Sequence, residues 1–408
     1  MRLDDDWRAD SLRFATTEDV SGKLDAFAEE RLRVLAEAGL LRRSDDGSRR
    51  TAAQAAADRL GVPFVDASSN DYLGLAGQDV SRETRVQVGA PGAGASRLIH
   101  GTRDELVALE TRLAKWVGTA GALLFTSGYA ANVGLLSAIG VGGSVILSDR
   151  LNHASIVDGC RLARAEVEVI PHLDLGALEL ALTNHRGRGP VWVVTESCFS
   201  MDGDGPDLLA LRSLCDRFEA GLVVDEAHAL GVFGARGAGR CQAAGVRPDA
   251  LVGTLGKAVG TQGAFVAGSR ALLELLWNQA RSFVFSTATS PLLASVTLLH
   301  VERLEAANYA RAVVLERARL LSEALIRSGV PLPPGLGGPI VPVLVGGNDE
   351  ALRIAHDLES EGILAQAIRP PTVPPGGARL RLTVSASWPD GAVERVATAV
   401  ANALRRVG

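Results

Sequence analysis

The stretch GLVVDEAHALG, residues 221–231, holds an apolar run that ends in a carboxylate and, three residues later, an imidazole. A short run that is apolar throughout predicts a strand buried on both faces, as in a parallel sheet covered by helices. Similar runs alternate with helical patterns between about residues 100 and 290. They are GALLFTS (121–127), SVILSD (144–149), EVEVIPH (166–172), VWVVTES (191–197), ALVGTLG (250–256) and GAFVAG (263–268). We therefore predict an α/β fold with a mostly parallel central sheet and helices on both faces.

Three units are predicted along the chain. Helical periodicity at residues 21–43 assigns residues 1–62 to an N-terminal helical arm. The alternating strands and helices assign residues 63–295 to a large α/β domain. Residues 296–408 take in the end of a long helical stretch at 291–328, a loop rich in Pro and Gly at 329–338, and a smaller α+β unit.

The composition excludes several classes of protein. Hydrophobic residues make up 47% of the chain, charged residues 22%, and the formal net charge is -5, which gives no electrostatic reason to expect nucleic acid as a partner. No apolar run is long enough to predict a membrane span, and the acidic N-terminus lacks the pattern of a secretory signal. The four cysteines, at positions 160, 198, 215 and 241, have no metal-site spacing, so we expect a reduced cytoplasmic protein without a bound metal.

Polar side chains follow three of the predicted strands. Asp225 and His228 follow GLVV, Glu196 and Ser200 follow VWVVT, and Lys257 follows ALVGTLG. In open parallel sheets, ligands bind at the carboxyl ends of the strands. The coincidence of these residues at one predicted edge therefore indicates a binding or catalytic site.

Lys257 is one of only three lysines among the 42 basic residues of the chain. A buried amine can lose its proton, whereas a guanidinium stays charged. A neutral amine can form a Schiff base with a carbonyl group or shuttle a proton. The alternative is a surface lysine retained by chance, and Lys257 taken alone does not decide between them.

Asp225 admits several interpretations. Its carboxylate could cap a helix, bind a metal, or pair with the protonated pyridine nitrogen of pyridoxal 5'-phosphate (PLP), with His228 reaching the same ligand. A capped turn with a surface histidine remains an alternative. The DEAH tetrapeptide also occurs in ATP-driven helicases, but that interpretation needs a phosphate-binding loop upstream, and no such loop precedes residue 225.

Two further segments could contact a flat, phosphorylated ligand. In TSGYAAN (126–132), the backbone N–H groups of Gly128 and Tyr129 at a helix start could bind a phosphate. In LNHAS (151–155), the imidazole of His153 could stack on a ring. The alternatives are a capped turn and a structural histidine.

Taken together, the motifs resemble those of the α-oxoamine synthases, and the resemblance runs from about Asn70 to Ser385 in matching order. The resemblance implies the aspartate-aminotransferase fold, known as fold type I, with PLP as cofactor. It also implies the decarboxylative condensation of an amino acid with an acyl thioester. The segments that carry the resemblance are SSNDYLGL (68–75), GAGASRLIHGT (92–102), TSGYAAN, LNHAS, TESCFSMDGD (195–204), VVDEAHALGVFGARGAGR (223–240), GTLGKAVGTQG (253–263), FVFSTATSP (283–291) and AIRPPTVPPGGARLRLTVSA (367–386).

The resemblance implies a role for each matching residue. Lys257 would hold PLP through a Schiff base, Asp225 would pair with the ring nitrogen, and His153 would stack on the ring. The ring hydroxyl would meet Ser200 and His228, and the substrate would meet Asn70, Arg381, Thr372 and an arginine of the arm, Arg42. The phosphate would meet Gly128, Tyr129 and Thr254, together with Ser286 and Thr287 from the other subunit of a homodimer.

The segment AIRPPTVPPGGARLRLTVSA (367–386) resembles the branch of the family that joins L-alanine to a pimeloyl thioester. The pimeloyl group of that branch is carried on CoA or on a carrier protein. A relative that uses glycine or serine with another acyl group is the alternative, and a non-enzymatic binder has no need of Lys257. The chain departs from the family at Leu106, where a histidine is usual, so the resemblance implies that a polar contact is lost there.

Overall fold

A computed structural model describes residues 23–41, 47–78 and 91–407. The helices are α1 (Lys23–Glu37), α2 (Ser48–Leu60), α3 (Asp104–Val117), α4 (Gly128–Ile139), α5 (Ala154–Leu162), α6 (Leu175–Asn184), α7 (Leu208–Arg217), α8 (Gly239–Ala243), α9 (Arg270–Gln279), α10 (Arg281–Val284), α11 (Pro291–Ala306), α12 (Asn308–Arg327), α13 (Asn348–Ser360) and α14 (Ala392–Val407). The strands are β1 (Val65–Asp66), β2 (Gly121–Phe125), β3 (Val145–Asp149), β4 (Glu166–Ile170), β5 (Val191–Glu196), β6 (Gly221–Asp225), β7 (Ala250–Thr254), β8 (Ala264–Gly268), β9 (Ile340–Gly346), β10 (Ile363–Leu364), β11 (Gln366–Ile368) and β12 (Ala378–Thr383).

The central sheet has seven strands in the order β2-β8-β7-β6-β5-β3-β4. Strand β8 runs antiparallel to its neighbours β2 and β7, whereas the strands from β7 to β4 are parallel to one another. Each of the seven predicted strands is present, and the predicted mostly parallel α/β fold is confirmed.

Helices cover both faces of this sheet, which explains the continuously apolar strands. In β6, Val223 packs in the core formed with α4, α5, α9 and α10, while Leu222 and Val224 pack in the core formed with α6 and α7. Successive side chains of a strand point to opposite faces, so a strand between two helical layers needs apolar residues at every position. In β6 the polar residue is accordingly confined to the strand end, at Asp225.

A smaller unit is built around the antiparallel sheet β11-β12-β9. Its core joins residues of α12, α13 and α14 to the three strands and also takes in Val65 and Ala67. Strand β1 pairs in parallel with β10, so the chain just after α2 packs with the C-terminal unit. The predicted domain boundaries after residues 62 and 295 stay predictions.

The helical stretch predicted at 291–328 divides into two helices. Helix α11 ends at Ala306 and α12 begins at Asn308. The buried guanidinium of Arg311 donates hydrogen bonds to the carbonyl oxygens of Leu304 and Glu305 in the last turn of α11. The carbonyl groups of the last helical turn lack the full set of i+4 partners, so the hydrogen bonds from Arg311 stabilise the break between the two helices.

The described part of the chain contains no helix whose length and apolar character would let it cross a membrane.

Candidate active site

Lys257 lies in the turn between β7 and β8, at the carboxyl end of β7. Its Nζ atom is 2.6 Å from His228 Nε2. Burial lowers the pKa of Lys257 to about 8, and the carboxylates of Asp225 and Glu196 only partly oppose that effect. A substantial share of the amine is therefore neutral near physiological pH, as a nucleophile or proton acceptor requires.

The turn that carries Lys257 packs tightly against the loop after Asn70. Gly260 has a φ of 74°, and a Cβ atom added to it would lie 2.6 Å from the backbone nitrogen of Ala76. Both the left-handed backbone and this contact exclude a side chain. The glycine thus allows the two segments to meet beside the lysine.

A chain of hydrogen bonds runs from Lys257 to the smaller unit. His228 Nδ1 is 2.7 Å from the hydroxyl oxygen of Tyr72, and that hydroxyl donates to Asn70 Oδ1 over 3.1 Å. Arg381 Nη2 donates to the same Asn70 oxygen over 3.0 Å. Strand β12 therefore joins the lysine site through Arg381.

The protonation of His228 follows from these contacts. Burial, together with the positive charges of Lys257 and Arg381, holds the pKa of His228 well below its ordinary value. A neutral imidazole has one donor nitrogen and one acceptor nitrogen. Since the hydroxyl of Tyr72 donates to Asn70, Nδ1 of His228 donates to that hydroxyl and Nε2 accepts from Lys257.

Asp225 ends β6 and is held on both carboxylate oxygens. Asn132 Nδ2 donates to Oδ2 over 2.8 Å, and the backbone N–H of Ala227 donates to Oδ1 over 2.8 Å. The same amide of Asn132 donates to Ser155 Oγ, which lies 2.7 Å from His153 Nδ1. The orientation of the carboxylate and of the His153 ring is thus set by one network.

Glu196 is a second buried carboxylate beside Asp225. The two residues are paired partners on β5 and β6, and Glu196 Oε1 accepts a hydrogen bond from the backbone N–H of His153 over 2.6 Å. Burial and the neighbouring charge of Asp225 raise the pKa of Glu196 to about 8, against the opposing effect of Lys257. Glu196 is therefore largely protonated at neutral pH.

A third group of residues surrounds the N-terminus of α4. Ser127 caps this helix by accepting from the backbone N–H of Ala130, and a Cβ atom added to Gly128 would lie 4.0 Å from the side chain of Thr254. Backbone N–H groups at a helix start, next to a hydroxyl, suit an anion. The side chain of Tyr129 is exposed, and its hydroxyl donates to Asp158 over 2.6 Å.

Other residues predicted for the site lie apart from the lysine network. Thr287 forms a β-bridge with Ser96, and within the described ranges no hydrogen bond joins Ser286 or Thr287 to Lys257 or its partners. Thr372 is exposed and lines a cleft of about 700 Å³ on the smaller unit. Arg42 lies outside the described residues.

Ser200 and Leu106 are the remaining two residues that the sequence analysis singled out. The carbonyl oxygen of Ser200 accepts a hydrogen bond from Arg381 Nε, so this segment touches the smaller unit. Leu106 is fully buried in the core that joins α3 to the sheet.

The sequence did not single out Tyr72, Asn132 or Ser155 as site residues. It placed Glu196 at the predicted edge of the sheet, where it ends β5 as Asp225 ends β6, but gave it no specific role. Tyr72 stands two residues after Asn70 and could have been considered with it. Nothing in the sequence distinguishes Asn132 and Ser155 from other polar residues near helix starts.

Comparisons with known proteins point to one family. The family model for aminotransferase class I and II matches residues 62–400. The 8-amino-7-oxononanoate synthase of Geobacter sulfurreducens is 42% identical over 387 residues, which are 92% of this chain and 97% of that protein.

Two solved structures share the fold. Serine palmitoyltransferase from S. paucimobilis, in a variant with a bound PLP–myriocin aldimine, aligns with a TM-score of 0.81 at 28% identity, covering 85% of this chain and 88% of that one. The 8-amino-7-oxononanoate synthase of Francisella tularensis aligns with a TM-score of 0.73 at 25% identity, covering 84% and 98%. The resemblance to α-oxoamine synthases and the predicted fold type are confirmed.

Proposed function

The chain belongs to the aminotransferase class I and II family, and we propose that it is a PLP-dependent acyltransferase of biotin biosynthesis. It condenses L-alanine with a pimeloyl thioester to 8-amino-7-oxononanoate and releases CO₂ and the free thiol. The relative from G. sulfurreducens, at 42% identity over nearly the whole chain, carries that name. The observation that carries the proposal is the amine of Lys257, whose pKa is lowered to about 8 by burial, together with the carboxylate of Asp225, which is held on both oxygens.

The residues of the site fit PLP. A pyridine nitrogen needs a buried, oriented carboxylate, and Asp225 is held on both oxygens. An aldehyde needs a lysine that can lose its proton, and a phosphate suits the start of α4 beside Thr254. When bound, PLP supplies an electron sink that stabilises negative charge on the α-carbon of the amino acid.

Lys257 then moves the proton at the α-carbon of alanine. Its pKa of about 8 lets Nζ accept that proton near neutral pH and return it to the product. Neutral His228 accepts a hydrogen bond from the amine and so orients it without adding a second charge. Tyr72 fixes the ring of His228 from the far side.

Arg381 binds the carboxylate of alanine. Its side chain is buried, Nε is bound to Ser200 and Nη2 to Asn70, and Nη1 makes no hydrogen bond to any described residue. A guanidinium held in this way presents a fixed donor toward the site, and a carboxylate matches its planar geometry. The carboxylate so bound is the group that later leaves as CO₂.

The substrate pair is tested by crossing alanine and glycine with pimeloyl, succinyl, acetyl and palmitoyl thioesters. We expect the highest kcat/KM for alanine with the pimeloyl donor. Alanine should exceed glycine by about 10–200-fold, because one methyl group in an apolar pocket contributes about 1–3 kcal/mol. A preference for glycine with acetyl or for serine with palmitoyl would contradict the biotin-pathway assignment. It would leave the α-oxoamine synthase class intact.

The alternative is an enzyme that uses serine or glycine with another acyl thioester. Its support is the structural likeness to serine palmitoyltransferase, at 28% sequence identity. The 42% identity to a protein named 8-amino-7-oxononanoate synthase favours the first proposal. A non-enzymatic binder is disfavoured because the amine of Lys257 would then have no role. A purified protein that is not yellow and cannot be reduced with borohydride would support the binder.

We also propose that the active protein is a homodimer with shared sites. Ile99 is 80% exposed and Phe285 is 71% exposed, and both flank the bridge between Ser96 and Thr287. Apolar side chains grouped in this way indicate an interaction surface. A second copy placed there would carry Ser286 and Thr287 to the edge of its partner's phosphate site.

The four cysteines are buried and unpaired, which supports a cytoplasmic location for the enzyme.

Subunit complementation tests the shared site. A mixture of Lys257→Ala and Thr287→Val proteins, refolded together at limiting PLP, should regain roughly a quarter of wild-type activity. Half of the dimers would be mixed, and each would hold one intact site of two. A mixture of Lys257→Ala with Asp225→Asn is the control and should regain none, because both residues belong to one subunit. A sedimentation result showing monomers at micromolar concentration would contradict the proposal.

A further inference from the structure

The segment of residues 197–206, SCFSMDGDGP, connects β5 to α7 and is here called the 197–206 loop. It carries Ser200, and its carboxylates Asp202 and Asp204 lie on either side of Gly203. Four cationic side chains from other segments hold it. They are His172 on Asp204, Arg379 on Asp202, Arg381 on the Ser200 carbonyl, and Arg240 on the carbonyls of Ser197 and Pro206.

Among these cations, His172 belongs to the central-sheet region, whereas Arg379 and Arg381 belong to β12 of the smaller unit. His172 follows β4, and its ring bridges two carboxylates: Nδ1 is 2.8 Å from Asp149 Oδ1, and Nε2 is 3.0 Å from Asp204 Oδ2. An ionised carboxylate only accepts hydrogen bonds, so both ring nitrogens must donate. The bridge therefore requires the imidazolium form of His172.

The surroundings fix this ring in place. The backbone N–H groups of Leu151 and Leu173 donate to the two oxygens of Asp149 over 2.8 and 2.9 Å, so that carboxylate is immobile. Leu173 has a φ of 55°, an unfavourable conformation for leucine that its hydrogen bond to Asp149 helps to maintain. The ring of Phe199 meets the imidazole edge-on, with centroids 4.5 Å apart.

Asp204 depends on His172 more than on any other side chain. Its Oδ1 atom is buried and accepts no hydrogen bond from the described residues, so Oδ2 carries the side-chain contact. Without the imidazolium, this carboxylate, whose side chain is 22% exposed, would lose its charged partner while its Oδ1 atom stays buried. That cost would favour movement of the 197–206 loop.

We propose that His172 is a positioning residue, whose ring clamps the 197–206 loop to the end of β3 and thereby holds Arg381 in place for the amino-acid carboxylate. The clamp acts through Asp204 to Ser200, whose carbonyl oxygen accepts from Arg381 Nε. The consequence for the amino-acid substrate rests on the function proposed above. The clamp itself is a property of the chain alone.

The charges around His172 determine how the clamp responds to pH. Burial opposes the charged ring, but hydrogen bonds and attraction from Asp149 and Asp204 outweigh it and raise the pKa of His172 to about 9. Two further carboxylates, those of Asp174 and Asp207, cap the starts of α6 and α7. Each accepts a hydrogen bond from a backbone N–H group of its own helix.

Further along the loop, Asp202 is paired with Arg379, and Arg240 faces the two loop ends. Folding raises the pKa of His172 from about 6.5, its value in the unfolded chain, to about 9. The clamp is therefore fully formed below about pH 6.5 and is lost as the pH rises through about 9.

The experiment compares the wild-type holoenzyme with the holoenzymes of three variants, which are His172→Asn, Asp204→Asn and the double variant. His185→Asn is the matched control, because His185 also hydrogen-bonds a carboxylate, Glu168, over 2.8 Å but has no contact with the loop in the described structure. Histidine NMR titration is feasible with seven histidines, since His172→Asn assigns one signal. Hydrogen exchange of residues 197–206 and the KM for alanine across pH complete the measurements.

We expect a His172 signal that titrates near pH 9, and loop amides that exchange about tenfold faster in His172→Asn but not in His185→Asn. The KM for alanine should rise about tenfold in His172→Asn at pH 7, with a smaller change in kcat. The ratio of the variant's KM to the wild-type KM should fall toward one above pH 9, where the wild type loses the clamp as well. The double variant should add little to either single change.

A signal for His172 that titrates near its ordinary value, or loop exchange that is unchanged in His172→Asn, would overturn the clamp. A constant KM ratio across pH would overturn its link to Arg381. If the wild type fails to convert alanine and a pimeloyl thioester while the NMR and exchange results hold, the proposed function fails and the clamp stands.

Discussion

Replacement of Lys257 by alanine is expected to lower kcat by about 10⁴-fold or more and to leave the fold intact. In the proposed function the amine has two tasks that no neighbour can take over, since it would bond covalently to the cofactor and would move the proton at the α-carbon. His228, the nearest base, is buried and neutral, with one nitrogen bound to Tyr72 and the other directed at Lys257. The side chain of Lys257 is only partly buried, at the end of the sheet, so its removal should cost little stability.

Borohydride reduction followed by peptide mapping identifies the lysine independently of turnover. The pyridoxyl label should appear on Lys257 in the wild type and be absent from Lys257→Ala. Lys115→Ala is the control, because Lys115 is exposed on α3, far in sequence from the site, and both label and activity should be retained. A label on Lys115 or Lys23 in the wild type would refute the assignment.

Replacement of Asp225 by asparagine is expected to retain PLP but to slow the reaction by about 10²–10³-fold. The amide matches the carboxylate in shape but carries no charge, so it cannot keep a pyridine nitrogen protonated. The electron sink then weakens at the step where negative charge develops on the α-carbon. Stopped-flow absorbance after mixing with alanine and the acyl thioester measures this step directly.

Glu196→Gln is the matched control for Asp225→Asn. The two carboxylates are neighbours on adjacent strands and similarly buried, but the raised pKa of Glu196 makes it largely protonated at neutral pH. Glutamine resembles a protonated carboxyl group, so we expect a loss of no more than about tenfold for this change. Near-normal rates in Asp225→Asn would mean that Asp225 serves only as a structural cap. Equal losses in the two variants would mean that the effect is not specific to the ring nitrogen.

The sequence alone predicted the central sheet and the lysine. Several of the seven runs are apolar throughout, because a strand between two helical layers needs apolar residues on both faces, and this pattern is local. Polar residues that directly follow such runs must lie at the sheet edge, which is why Asp225 and Lys257 were identified without coordinates. The division of residues 291–328 at Ala307 was missed, since it depends on the side chain of Arg311 and not on helical propensity.

The tertiary structure decided which distant residues meet at the site. Tyr72 contacts His228 across 156 positions of sequence, Arg381 reaches Asn70 across 311, and His172 joins Asp149 to Asp204. Such contacts depend on strand order and on the packing of the smaller unit against the larger. Neither leaves a periodic or compositional trace in the sequence. Short-range patterns therefore determined the groups that carry the chemistry, whereas the groups that orient them were determined only by long-range packing.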